Sequence, residues 1–240
     1  EVFVVPISSA GEPPEPQRLT KDFSGNIEQL RWQASGDAIY FAAEVRTGNR
    51  LFRLNPTSGA VHPASPEALY LTSADWTPDG TACAALREGP DALPDVLLLR
   101  PAAASASPVQ LTSLNPQLKN FALGAQEILI WKSKDSLEIE GILIKPPGWQ
   151  PDKKYPLLLD IHGGPYGRRA NTLTTGELPP QLWAARGWLV LQPNYRGSSA
   201  YGHEFGVANR GDLGGKDYED LMAGVDHALA LGWVDAKRLY

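Results

Sequence analysis

Cysteine is almost absent. Cys83 is the only one in 240 residues. One thiol excludes an internal disulfide and any metal cluster built on cysteine. It fits a cytoplasmic protein, or an exported one that avoids thiols. Methionine is equally scarce: Met222 stands alone, and the chain opens inside the apolar run Val2-Phe3-Val4-Val5. The expectation is a true start upstream, with any signal peptide outside this sequence. Positive charge is not in excess, with 22 Lys and Arg against 27 Asp and Glu, a formal net of −5. Nucleic-acid binding needs a basic face, so no such partner is expected. No apolar run approaches the ~20 residues that span a bilayer, so no membrane partner is expected either.

Repetition fills the first half. Trp32 precedes Ser35-Gly36-Asp37, and Trp76, 44 residues on, precedes Pro78-Asp79-Gly80. Three strand-like runs close on proline: Val2 to Pro6, Leu51 to Pro56 and Val96 to Pro101. Arg18-Leu19-Thr20 returns as Gln110-Leu111-Thr112. Four short strands per ~40–45 residues is the period of a β-propeller blade. The tryptophans are expected in the core between blades, each followed by a turn. Leu71-Thr72 breaks the register of the Leu-Thr marker, so that blade is expected to carry an irregular loop. About two and a half blades are present, and closed propellers typically have four to eight, so further blades are expected on the N-terminal side. Ala102 to Pro108 reads as an exposed loop, and the domain boundary is expected between 123 and 124.

The second half reads differently. Ile128 to Ser133 and Leu137 to Lys145 are two strands about a turn at Lys134-Asp135-Ser136. In the second, Leu137, Ile139 and Leu143 share one face and Glu138 and Glu140 the other. Leu157-Leu158-Leu159 is a short apolar strand, and Gln181 to Arg186 a helix opened by Pro179-Pro180 and closed by Gly187. Trp188 to Pro193 is a second buried strand. Strand, helix and strand make a βαβ unit and a parallel sheet. Tyr218, Leu221, Met222, Val225, Ala228 and Leu229 form the stripe of a longer helix, with Asp217, Glu219 and Asp220 in its first turn. Trp233 to Lys237 reads as a turn, and Arg238-Leu239-Tyr240 as the opening of a strand.

The first of the buried strands ends abruptly at Asp160-Ile161-His162-Gly163-Gly164-Pro165-Tyr166-Gly167. Adjacent glycines let a backbone approach a ligand closely, and N–H groups held there can stabilise an oxyanion. A tight turn without chemistry explains the same residues, and only the flanks decide between the two.

His162-Gly163-Gly164-Pro165, Asn194-Tyr195-Arg196-Gly197-Ser198 and Gly211 to Tyr218 follow one another in the order and spacing of a known family. Together they resemble the prolyl oligopeptidase family of serine peptidases, closest to its acylaminoacyl-peptidase and dipeptidyl-peptidase branches. Ile130 to Ser133 and Ile139-Glu140-Gly141 resemble that family's entry into its catalytic domain. The resemblance implies a mixed fold: C-terminal blades of a β-propeller over 1–123, then the N-terminal part of an α/β-hydrolase domain over 124–240. It implies hydrolysis of short peptides, because the propeller restricts access to the site. It implies a Ser-His-Asp triad, no cofactor, and an oxyanion loop at His162, Gly163, Gly164 and Pro165, with Tyr166 contacting substrate. No Gly-x-Ser-x-Gly elbow is present, and in α/β-hydrolases the triad runs Ser, Asp, His. The nucleophile is therefore expected after Tyr240, and the chain as written is expected to be inactive.

Several residues imitate a site. Ser198 and Ser199 follow Gly197, but the elbow's second glycine is replaced by Tyr201. His62 (in a blade loop) and His227 read as structural, and His203 as a loop residue. Gly214-Gly215-Lys216 hints at a phosphate loop, yet Asp217 stands where Ser or Thr is required and Arg210 where glycine is. Asp217 and Asp220 are explained by helix capping. Two other functions fit the same features: an esterase on this scaffold, and a propeller binding protein with a degenerate hydrolase domain. The oligomeric state is not legible.

Overall fold

The computed structural model describes residues 1–6, 14–67, 69–100, 107–173 and 179–240. The predicted loop over 102–108 lies largely outside them. The described chain groups into two units, one of residues 1–45, 49–87 and 94–114, the other of 46–48, 88–93 and 115–240.

In the first unit, β1 (Phe3–Val4) pairs antiparallel with β2 (Gln17–Arg18). β3 (Asn26–Trp32), β4 (Ile39–Val45), β5 (Gly48–Leu54) and β6 (Val61–Pro63) form a four-stranded sheet in chain order. β7 (Tyr70–Trp76), β8 (Cys83–Gly89), β9 (Ala92–Leu99) and β10 (Val109–Gln110) form another. The strand period of two fixes what each face carries. Ala38, just before β4, and Tyr40 and Ala42 on it enter one core with Leu71, Trp76 and Leu97. Ile39, Phe41 and Ala43 enter a second with Val2, Leu19 and Phe52.

The repeated markers have repeated jobs. Gly36 N–H donates to Gln33 O and Gly80 N–H to Thr77 O, each glycine at positive φ where a side chain is disfavoured. Thr20 Oγ1 accepts from Val2 N–H and Thr112 Oγ1 from Val96 N–H, both at 2.8 Å. The middle repeat fills that role with Ser65, whose Oγ accepts from Leu51 N–H at 3.1 Å. Leu71-Thr72 is thus not the displaced marker, and it lies within β7. Trp76 stacks on Tyr40 at 4.7 Å, between sheets as expected. Trp32 does not, being 48% exposed because no sheet among the described residues covers it. His62 lies on β6 rather than in a loop.

The second unit is one mixed five-stranded sheet, ordered β11 (Gln126–Lys132), β12 (Glu138–Ile144), β14 (Leu189–Asn194), β13 (Tyr155–Leu159), β15 (Val234–Leu239). β11, β12 and β14 pair antiparallel, whereas β13 runs parallel to both β14 and β15. α1 (Pro180–Ala185) sends Ala184 into a cluster with Ile142, Ile144 and Val190. α2 (His203–Gly206) is a single short turn, and α3 (Lys216–Ala230) is the long helix. α3 covers the other face, where Val225 and Ala228 meet Trp131, Leu157, Leu189 and Leu191. The alternation of Leu189 and Leu191 against Val190 makes β14 apolar on both sides, as a central strand requires.

Three expectations need correction here. β15 pairs at Val234 and again at Leu239, and the residues between bulge away under hydrogen bonds to Asp235. The expected turn is therefore a bulge inside the strand. The buried stripe of α3 includes Asp217, Asp220, Leu221, Gly224, Val225 and Ala228, while Tyr218 is exposed. Asp217 Oδ1 accepts from Tyr218 N–H at 2.8 Å in the first turn, beside Asp212 Oδ2 on Lys216 N–H, but Asp220 does not cap the helix because Arg196 claims it.

Candidate active site

Successive parallel strands here send their chains to opposite faces of the sheet. From β13 the chain passes to α1, and from the adjacent β14 it passes to α3. Such a reversal opens a crevice at the carboxyl ends of the strands, where open α/β sheets bind their ligands. The loops leaving β13 and β14, 160–173 and 195–202, meet there.

His162 joins them. Its ring stacks on Tyr195 at 4.6 Å and 17°, and Tyr195 Oη–H donates to His162 O at 2.6 Å. Its Nε2 lies 3.0 Å from Ser198 Oγ, and its Nδ1 lies 3.0 Å from Gly163 O. Burial holds the imidazole below its usual pKa, and the positive Arg169 pushes the same way. Below the ring the loop is tied again, by Ser199 N–H to Gly167 O at 2.9 Å.

The result is a backbone surface. Gly163 and Gly164 are exposed, and among the described residues neither N–H has a protein acceptor. A methyl at Gly163 would meet nothing within 4 Å. Gly164 has φ 133°, and a side chain there would press on Tyr166 N at 2.8 Å. Pro165 follows, and Tyr166 is 62% exposed with its ring against Gly206. Both residues are exposed, with donors untaken among the described residues; open space lies at Gly163, and a conformation that favours glycine at Gly164.

Ser198 and His162 stand at the distance of a nucleophile and its base. The sequence pattern argued against Ser198, and the surroundings argue the same way. Ser198 is fully buried, and its Oγ lies closer to Tyr195 O, at 2.6 Å, than to the ring. The Gly163 carbonyl can only accept, so in the neutral ring Nδ1 carries the proton and Nε2 is an acceptor, and the Tyr195 carbonyl competes with it for the single Ser198 hydroxyl proton. The other ring nitrogen faces a carbonyl rather than a carboxylate. The pair ties two loops together. Ser199 is buried too. His203 lies on α2, and His227 stacks on Trp131 at 6.4 Å. The Asp212 carboxylate fills the apparent phosphate loop.

Sequence reasoning missed the charges beneath the crevice. Asp160 Oδ1 is 3.0 Å from Arg169 Nη2, and its Oδ2 accepts from Gln192 Nε2 at 2.7 Å. Asn194 Oδ1 accepts from Arg169 N–H at 2.7 Å, and Asn194 Nδ2 donates to Arg169 O at 3.0 Å. Glu140, expected only to face away from the apolar side of β12, is buried. Its Oε1 accepts from Thr47 N–H and Tyr201 Oη–H, and its Oε2 from Arg46 Nε, residues 46–48 belonging to this unit. Burial, then the Glu140 charge, raises the Tyr201 phenol, so it stays protonated and donates. The signal available was polar residues at i and i+2, Gln192 and Asn194, on one face of a strand otherwise apolar.

The model of the prolyl oligopeptidase family matches residues 176–240. The uncharacterized peptidase YuxL of Bacillus subtilis is 35% identical over 90% of this chain and 32% of its own. Dipeptidyl-peptidase 5 of Arthroderma otae is 27% identical over 93% of this chain and 31% of its own. Among solved structures, the Pyrococcus horikoshii acylaminoacyl peptidase superposes with a TM-score of 0.77 at 22% identity, over 94% of this chain and 34% of that one. The chain spans about a third of the length of the curated relatives it matches.

Proposed function

We propose, from the match of residues 176–240 to the prolyl oligopeptidase family, that the whole protein is a serine peptidase acting on short peptides. In this reading residues 1–123 supply propeller blades and residues 124–240 open an α/β-hydrolase domain. The nucleophilic serine, the aspartate and the histidine follow Tyr240. The serine Oγ attacks the peptide carbonyl while the histidine takes its proton. The carbonyl oxygen becomes an oxyanion and accepts from the backbone at Gly163 and Gly164, and from the N–H of the residue after the serine. Tyr166, exposed beside them, contacts the substrate.

The observation that carries this reading is the pair of exposed glycines after β13, neither N–H taken by a protein acceptor among the described residues. The edge of β15 supports it. Leu159 N–H donates to Tyr240 O at 2.8 Å, so the chain leaves Tyr240 beside the last residue of β13. An elbow continuing from β15 would face the glycines.

Fluorophosphonate labelling of the full-length protein, followed by peptide mapping, tests it. Label on one serine beyond Tyr240, and none on residues 1–240 alone, is the expected result. Stoichiometric label on Ser198 or Ser199 overturns it.

A further inference from the structure

Two residues bracket the loop that carries the glycines. Asp160 is the first residue after β13, and Arg169 is where the chain turns away again. Both are 7% exposed, and their side chains meet at 3.0 Å. Gln192 and Asn194, fully buried on one face of β14, hold the two ends from below. Gln192 grips the Asp160 carboxylate, and Asn194 grips the backbone of Arg169 through both its amide atoms. Asp160 N–H donates to Leu191 O at 2.9 Å, so the entering stem is fixed by main chain as well.

Stability alone is a poor reason for this arrangement. A buried ion pair loses to apolar packing once desolvation is counted. This cluster also leaves Arg169 Nε and Gln192 Oε1 without a protein partner among the described residues. What it does supply is a fixed distance between the two stems of an eight-residue loop, 161–168. We propose that Asp160, Arg169 and Gln192 are positioning residues that clamp the stems and so aim the Gly163 and Gly164 N–H groups. The proposal rests on the oxyanion reading above. A donor aimed about 1 Å off loses on the order of 100-fold in rate without losing substrate.

The test uses the full-length enzyme, a chromogenic peptide substrate and a peptidyl boronate, whose tetrahedral adduct needs the oxyanion donors. Rates are taken per titrated active site, well below the melting temperature. Asp160→Asn is expected to lower kcat by about 10- to 100-fold. KM should stay within about threefold, and boronate affinity should fall in parallel with kcat. Arg169→Lys keeps the charge but loses the fork, and it is read the same way should Asp160→Asn fail to fold. Asp160→Asn/Arg169→Gln removes both charges and leaves two groups able to pair. It is expected to recover about tenfold of the loss, because the uncompensated charge is gone. A variant that melts earlier but keeps kcat and boronate affinity per site overturns the clamp. Gly164→Ala separates the two ideas. If it weakens the boronate and Asp160→Asn does not, only the clamp fails. If neither does, the oxyanion loop itself was misassigned and the clamp falls with it.

Discussion

Arg196 and Asp220 form a buried, two-pronged pair: Nη2 to Oδ1 at 2.7 Å and Nε to Oδ2 at 2.9 Å. Asp220 Oδ2 also accepts from Arg196 N–H, and Asp135 holds the far side of the guanidinium through two further bonds. The bonds from Asp220 and then Asp135 keep the guanidinium charged despite its burial. This one arginine joins the loop after β14, helix α3 and the turn between β11 and β12.

Removing one partner leaves the other buried and unpaired. Asp220→Ala should cost about 3–5 kcal/mol in urea unfolding. Asp135 is part-exposed, so Asp135→Ala should cost less than Asp220→Ala under the same conditions. A loss below ~1 kcal/mol for Asp220→Ala would mean that water reaches Arg196.

Trp131 sits between two glycines. A methyl at Gly141 would stand 2.7 Å from its Cη2, and one at Gly224 2.7 Å from its Cζ2. Its Nε1–H donates to Asp220 O at 3.0 Å, so the ring cannot slide away freely. Gly224→Ala gains helix propensity but overpacks the core, for a net destabilisation of about 1–3 kcal/mol. A more stable Gly224→Ala protein in thermal melts would show that the ring repacks.

His162 gives the fold a pH dependence. Its folded pKa lies below the ordinary value, so the unfolded chain takes up a proton that the folded one resists. Its share of stability is present above about pH 6.5 and is lost as pH falls below that, by at most about 1.4 kcal/mol per unit. Urea titrations at about pH 7.5 and about pH 5.5 should show a smaller difference for His162→Gln than for wild type. An unchanged difference would remove His162 from the account.

Cys83 is buried in the core of the first unit, and burial pushes its thiol up to about 12. Native protein should therefore resist iodoacetamide at about pH 8 and react once urea is added. Rapid labelling without denaturant would mean that β8 opens easily.

Much of the fold was legible because it depends on local rules. The tryptophan-turn markers and the βαβ order each follow from period or turn chemistry, which neighbouring residues fix among themselves. The Leu-Thr marker was misplaced in the middle repeat because Ser65 supplies the same hydroxyl in a different sequence context. Asp220 was read as a cap because sequence shows only its place near the helix start, not the arginine 24 residues away that claims it.

By itself the sequence determined the strand repeats, the order of the elements and the two glycines at the end of β13. Only the tertiary structure decided which charges pair in this unit. Asp160 with Arg169, Glu140 with Arg46 and Asp220 with Arg196 are pairs of ordinary surface residue types. A charge can be buried only where a partner from elsewhere in the chain meets it, and that meeting exists only after folding.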